Sequence, residues 1–97
     1  MTEISKIDDS RLATGKVCLI VTAPWCGMCR MMKPSFEKMA DNGGDILFLT
    51  ANADKVCEVA SRYGVKSLPT AVLLSDGVQI ASLHGSDINS KNINSAF

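Results

Sequence analysis

Residues 16–23, KVCLIVTA, are apolar and mostly branched, with almost no alternation of polar and apolar positions. A strand with one wet face alternates; a strand covered on both faces does not. This run therefore reads as a central strand that needs apolar layers above and below it. The chain has 97 residues, enough for one core and one domain over residues 1–97, built in two or three layers.

The remaining segments supply those layers. Residues 7–14 are expected to form a short first helix ended by Gly15. After Cys26 the period changes. Met28, Met31, Met32, Phe36, Met39 and Ala40 recur at steps of three and four, which predicts an amphipathic helix over 27–41. Pro34 lies inside it, where a lost amide and a ring clash predict a kink. Asn42-Gly43-Gly44 stops it. DILFLTAN, 45–52, reads as a second buried strand. Val56, Val59, Ala60 and Tyr63 mark one face of a helix over 54–63, ended by Gly64. TAVLLS, 70–75, and VQIASLH, 78–84, are strand-like and joined by Asp76-Gly77, a strong hairpin signal. The tail has Ile88, Ile93 and Phe97 to bury and predicts a short last helix. Strand–helix–strand units give parallel pairs and the hairpin gives an antiparallel one. The expected result is a mixed sheet with helices on both faces.

Charge removes several function classes. Ten basic and ten acidic side chains cancel, so there is no electrostatic footprint for nucleic acid and no acidic tail. The longest apolar runs are far too short to span a bilayer. The opening residues, MTEISKIDDSR, are polar and of mixed charge, without the order of a secretory signal, and the expected compartment is the reducing cytoplasm. Four cysteines in that setting do not read as a structural disulfide frame.

Two of the four, Cys26 and Cys29, stand two residues apart in APWCGMCR. A tetrahedral zinc site normally needs two such pairs, or one pair and closely spaced histidines. This chain has one pair and a single histidine, His84, and no metal site is expected. The pair falls where a buried strand ends and a helix begins. There, free amides and the helix dipole favour an anion, making Cys26 a thiolate nucleophile. Cys29, less than a turn away on the same face, is placed to attack Cys26 and release a bound partner. The competing reading is a pair of small buried apolar residues. Trp25, the turn-permissive Gly27 and the strand-to-helix junction favour the redox pair. Met31, Met32 and Met39 are expected in the core, and Met28 at the surface. Cys18 is expected to be an inert core thiol, and Cys57 a packing residue at the core boundary, with a partly exposed thiol open to dimer formation or modification as the alternative.

The segment WCGMCR resembles the WCGPCK signature of the thioredoxin family, with Met28 in place of proline. MMKP continues the likeness, YGVKSLPT at 63–70 resembles the family's YG-V-x-x-x-P-T segment, and SDG before the last strand and Gly85 after it also fit. The likeness runs over nearly the whole chain. It implies an α/β thioredoxin fold, a three-layer sandwich with a central mixed β-sheet and helices on both faces. It implies a protein-disulfide reductase with catalytic Cys26 and Cys29, serving electron transport and cell redox homeostasis. No cofactor is implied beyond the redox-active disulfide. The implied partners are proteins with disulfides and a thioredoxin reductase or glutathione system, not nucleic acid or membrane, met by a monomer. Pro69 becomes the family's cis-proline, leaving the Leu68 backbone free to pair with a substrate strand. Without the likeness, Pro69 would read as a trans residue opening an edge strand. The implied docking surface comprises Trp25, Gly27, Met28, Leu68, Pro69, His84 and Gly85. His84 is unusual there, since an apolar residue is common; facing the disulfide, its positive charge would favour the Cys26 thiolate.

Three positions depart from the family pattern. Ile20 stands where a buried Asp is usual, Thr50 where a Lys often pairs with it, and Thr22 where a second Trp is usual. Trp25 is thus the sole source of tryptophan fluorescence. With the proline replaced as well, two other functions compete with the reductase: a binding or adaptor subunit on the same fold, and a glutathione-coupled, glutaredoxin-like reductase.

Overall fold

The computed structural model describes residues 1–97. Five strands form one mixed sheet in the order β1-β3-β2-β4-β5: β1 Thr2–Ile4, β2 Lys16–Thr22, β3 Ile46–Asn52, β4 Thr70–Ser75 and β5 Val78–His84. β1 and β2 run parallel to β3, whereas β4 is antiparallel to both β2 and β5. The helices are α1 Gly27–Asp41, α2 Glu58–Tyr63 and α3 Ser90–Ala96.

The apolar run at the centre of the sequence is the centre of the sheet. Val17, Leu19 and Val21 enter one core with Leu49, Val56, Val59 and Val72. Cys18 and Ile20 point the other way, into a second core with Phe36, Met39, Leu73 and Ile93. All five of these β2 side chains are fully buried, which is what a strand covered on both faces requires. The three-layer sandwich follows, with α2 over one face and α1 and α3 over the other. Burial pushes the Cys18 thiol up to about 12, because a thiolate there would lose its water. Cys18 is therefore protonated near neutral pH and takes no part in exchange. At Asp76-Gly77 both residues have positive φ, 49° and 83°, as a two-residue hairpin turn demands.

The structure corrects four of the expected placements. The segment 7–14 is not a helix but a 3-10 turn, Ser10–Leu12, capped by Asp9. Only Leu12 is buried and Ile7 half-buried there, too little apolar face for a helix, and Asp9 instead grips the Arg11 backbone and guanidinium. β1 precedes it at the sheet edge; with one buried residue, Ile4, in three, it has almost no periodic signal. α2 begins at Glu58 rather than 54. Asn52 accepts the Asp54 amide on its side chain and the Lys55 and Val56 amides on its carbonyl, so local turns replace the first helical turn. Cys57 thus precedes α2, exposed, with its thiol donating to the Asp54 carbonyl, and is not a packing residue. Finally, Met31 is 81% exposed. The buried ridge of α1 is Cys29, Phe36 and Met39, with Met32 packed beside it, and Met31 lies roughly 120° round the helix from the middle of that ridge.

Candidate functional site

β2 ends at Thr22, and the chain turns through Ala23-Pro24-Trp25 before α1 begins. The turn is closed by the Cys26 amide, which donates to the Ala23 carbonyl at 3.1 Å. Cys26 is the N-cap of α1 (φ −83°, ψ 105°), and its Sγ accepts the Cys29 amide at 3.2 Å. It is this amide, and not that of Met28, that satisfies the sulfur. Cys26 and Cys29 are joined as a disulfide, with Cα atoms 5.3 Å apart. Both are largely buried, at 7% and 5% exposure, in a small cluster with Ala23 and the flanking Leu68.

The expected docking residues gather around this pair in different ways. Trp25 is 67% exposed. Its indole N–H donates to both carboxylate oxygens of Asp54, at 3.1 and 3.3 Å, so the ring is held beside Cys26 while its apolar surface faces water. Asp54 is a site residue that sequence reasoning missed; nothing in the spacing between 25 and 54 signals the contact. Gly27 opens α1, and a Cβ there would meet no atom within 4 Å. Met28 is exposed and reaches across to Gly85, where an added methyl group would lie 3.2 Å from its Cε. Gly85 has φ +54°, and its amide donates to the Pro69 carbonyl at 3.0 Å. The Leu68–Pro69 bond is cis. Pro69 itself is buried, so the open apolar surface comes from Trp25, Met28 and part of Leu68. His84 is exposed, and its ring bonds the Thr70 hydroxyl rather than either cysteine.

The absent charges are also located. Ile20 and Thr50 are direct partners in the β2–β3 register, and Glu3 follows in the same row on β1. Ile20 is fully buried, so the core behind the disulfide is apolar where two charges are usual. A cavity of about 370 Å³ is lined by Cys29 with Glu3, Thr22, Lys33, Glu37 and Thr50 among others.

The thioredoxin family model matches residues 5–96. The chain belongs to the thioredoxin family. Among its relatives, it is 35% identical over 81 residues to mitochondrial thioredoxin-2 of Schizosaccharomyces pombe, covering 82% of this chain and 61% of that protein. It is 36% identical over 80 residues to thioredoxin H2-1 of Oryza sativa, covering 82% and 58%. The chain thus spans about three fifths of the length of these two relatives. Its fold superposes on the solved thioredoxin of Malassezia sympodialis with a TM-score of 0.83 and 30% identity, over 99% of this chain and 86% of that one. The thioredoxin fold expected from WCGMCR and the Pro69 segment is thereby established.

Proposed function

We propose that this chain is a protein-disulfide reductase working through Cys26 and Cys29. The observation that carries the reading is the N-cap position of Cys26, with its sulfur facing the Cys29 amide and bonded to Cys29 beside an exposed Trp25. In the reduced protein, the same amide and the N-terminus of the 15-residue α1 stabilise a Cys26 thiolate.

That thiolate attacks one sulfur of a substrate disulfide. A Cys26–substrate disulfide forms, and the other substrate sulfur leaves as a thiolate that takes up a proton. Cys29 then loses its proton and attacks Cys26. The second substrate sulfur departs as a thiol, and the Cys26–Cys29 disulfide remains. Two electrons have passed to the substrate and must be restored by an external donor, a reductase or the glutathione pool. The substrate enters as an extended strand along Leu68, with apolar contacts to Trp25 and Met28. With Ile20 in place of an acid, the Cys29 proton goes to water in the adjoining cavity or to the departing substrate sulfur. No helix is long and apolar enough to cross a membrane, and the reading fits the cytoplasm or another reducing compartment.

Met28 tunes the couple. Its amide is one of the free N–H groups at the start of α1, not the one bonded to the Cys26 sulfur, and a proline there removes one N–H dipole from the positive helix end that faces the thiolate. The reduced form loses support, and the disulfide becomes harder to reduce. Met28→Pro is expected to shift the potential to more negative values by on the order of 30 mV, measured by titration against glutathione. An unchanged or less negative potential would contradict this role.

An adaptor role is separated from the reductase by the Cys26→Ser, Cys29→Ser double variant, in which a reductase loses its biological activity and an adaptor keeps it.

A further inference from the structure

Thr70 is fully buried. Its Oγ1 lies 2.6 Å from the Ser67 carbonyl oxygen and 3.0 Å from Nδ1 of His84. A hydroxyl has one hydrogen to give, and a carbonyl oxygen only accepts. The Thr70 hydrogen therefore goes to Ser67, and a Thr70 lone pair must take a hydrogen from Nδ1. This fixes the imidazole: neutral His84 carries its proton on Nδ1 and leaves Nε2 as the basic nitrogen.

The chain His84 Nδ1–H to Thr70 to Ser67 is one of two ties between the end of β5 and the segment before β4. The other is the Gly85 amide on the Pro69 carbonyl. The ties come from successive residues, 84 and 85, and hold residues 67 and 69. Between them lies Leu68. Its backbone N–H and C=O make no intramolecular hydrogen bond, and its side chain packs against Ala23, Cys26 and Cys29. The ties thus bracket a residue with free backbone groups beside the disulfide. An apolar side chain at 84 would remove the first tie and leave a buried hydroxyl lone pair unmatched.

We propose that His84 is a positioning residue for substrate docking: through the Thr70 hydroxyl it fixes residues 67–69 in the orientation that receives a substrate strand. The inference rests on the disulfide-reductase reading, because it concerns how that substrate is aligned. It assigns His84 a structural hydrogen bond through Nδ1 rather than an electrostatic action on Cys26.

The test compares a protein disulfide with a small one that has no strand to dock. In the full chain, His84→Leu is expected to raise KM for insulin roughly tenfold, while the rate with the small aromatic disulfide DTNB stays within about twofold. His84→Asn, whose side-chain amide places a donor near the Nδ1 position, is expected to restore most of the insulin KM. Thr70→Val removes the same tie from its other end and is expected to reproduce the effect of His84→Leu. In the wild-type protein, imidazole nitrogen and carbon shifts should report the Nδ1–H tautomer. Wild-type insulin reduction with an unchanged KM in His84→Leu overturns the inference alone, as does an Nε2–H tautomer. Absence of insulin reduction by the wild-type chain overturns the reductase reading and the inference with it.

Discussion

Cys26→Ser is expected to abolish turnover, lowering kcat/KM for insulin by roughly a thousandfold or more. The cause is chemical. A serine at 26 keeps the N-cap and can still accept the Cys29 amide, as the cysteine sulfur does. The helix should therefore start at the same residue, and thermal stability should be little changed from that of the reduced protein. What is lost is the ionisable sulfur: a hydroxyl remains protonated at neutral pH and is a poor nucleophile toward disulfide sulfur. Neither remaining thiol outside the pair can substitute. Cys18 is fully buried and its thiol is pushed up to about 12. Cys57 is exposed but lies beyond Asp54, with its thiol turned to the Asp54 carbonyl. Insulin reduction measured with dithiothreitol as donor reads the loss directly, and residual activity near that of the wild type would contradict the assignment of Cys26.

Ile20→Asp is expected to destabilise the protein by about 3 kcal/mol at neutral pH, even though an acid is usual at this position in the family. Ile20 is fully buried among Cys18, Phe36, Phe48, Ala71 and Leu73. Its register partner on β3 is Thr50, which supplies no positive charge. A carboxylate introduced there is desolvated without a counter-ion, so its folded pKa is raised above the unfolded value. The sign follows from proton binding: the folded state holds the proton more tightly than the unfolded chain. The penalty is smallest below roughly pH 4 and grows by about 1.4 kcal/mol per pH unit until the folded pKa is reached. Urea unfolding at several pH values tests this. Adding Thr50→Lys is expected to recover part of the loss, since the two side chains share one cross-strand position. The same variant probes the proton route: Ile20→Asp should speed resolution of the mixed disulfide, and equal rates would contradict the role given to water.

The parts of this molecule that were legible in the sequence are those governed by burial and local chirality. KVCLIVTA could only be a doubly covered strand, and the structure buries both of its faces. Asp76-Gly77 could hardly be anything but a tight hairpin, and both residues adopt positive φ. The position of Cys26 at a helix start was likewise a local inference, from a strand run followed by a helical period. The misplaced elements were those decided by side chains that compete for the backbone. Asn52 and Asp54 turned the start of a predicted helix into a series of turns, and Asp9 with Arg11 did the same near the N-terminus. Met31 was misassigned because six apolar residues on one helix define an arc wider than a single buried ridge, and only packing selects which edge stays dry. The bonds of Trp25 to Asp54 and of His84 to Thr70 join residues 29 and 14 positions apart, distances over which periodicity carries no information.

The proposed mechanism requires Cys26 to be the sulfur that meets the substrate and Cys29 the sulfur that releases it. The most direct measurement is mass spectrometry of the Cys29→Ser protein after reduction and exposure to a disulfide-containing protein. The expected product is a stable one-to-one covalent complex, cleaved by dithiothreitol, with peptide mapping placing the intermolecular disulfide on Cys26. A complex linked through Cys57, or no complex at all, would contradict it.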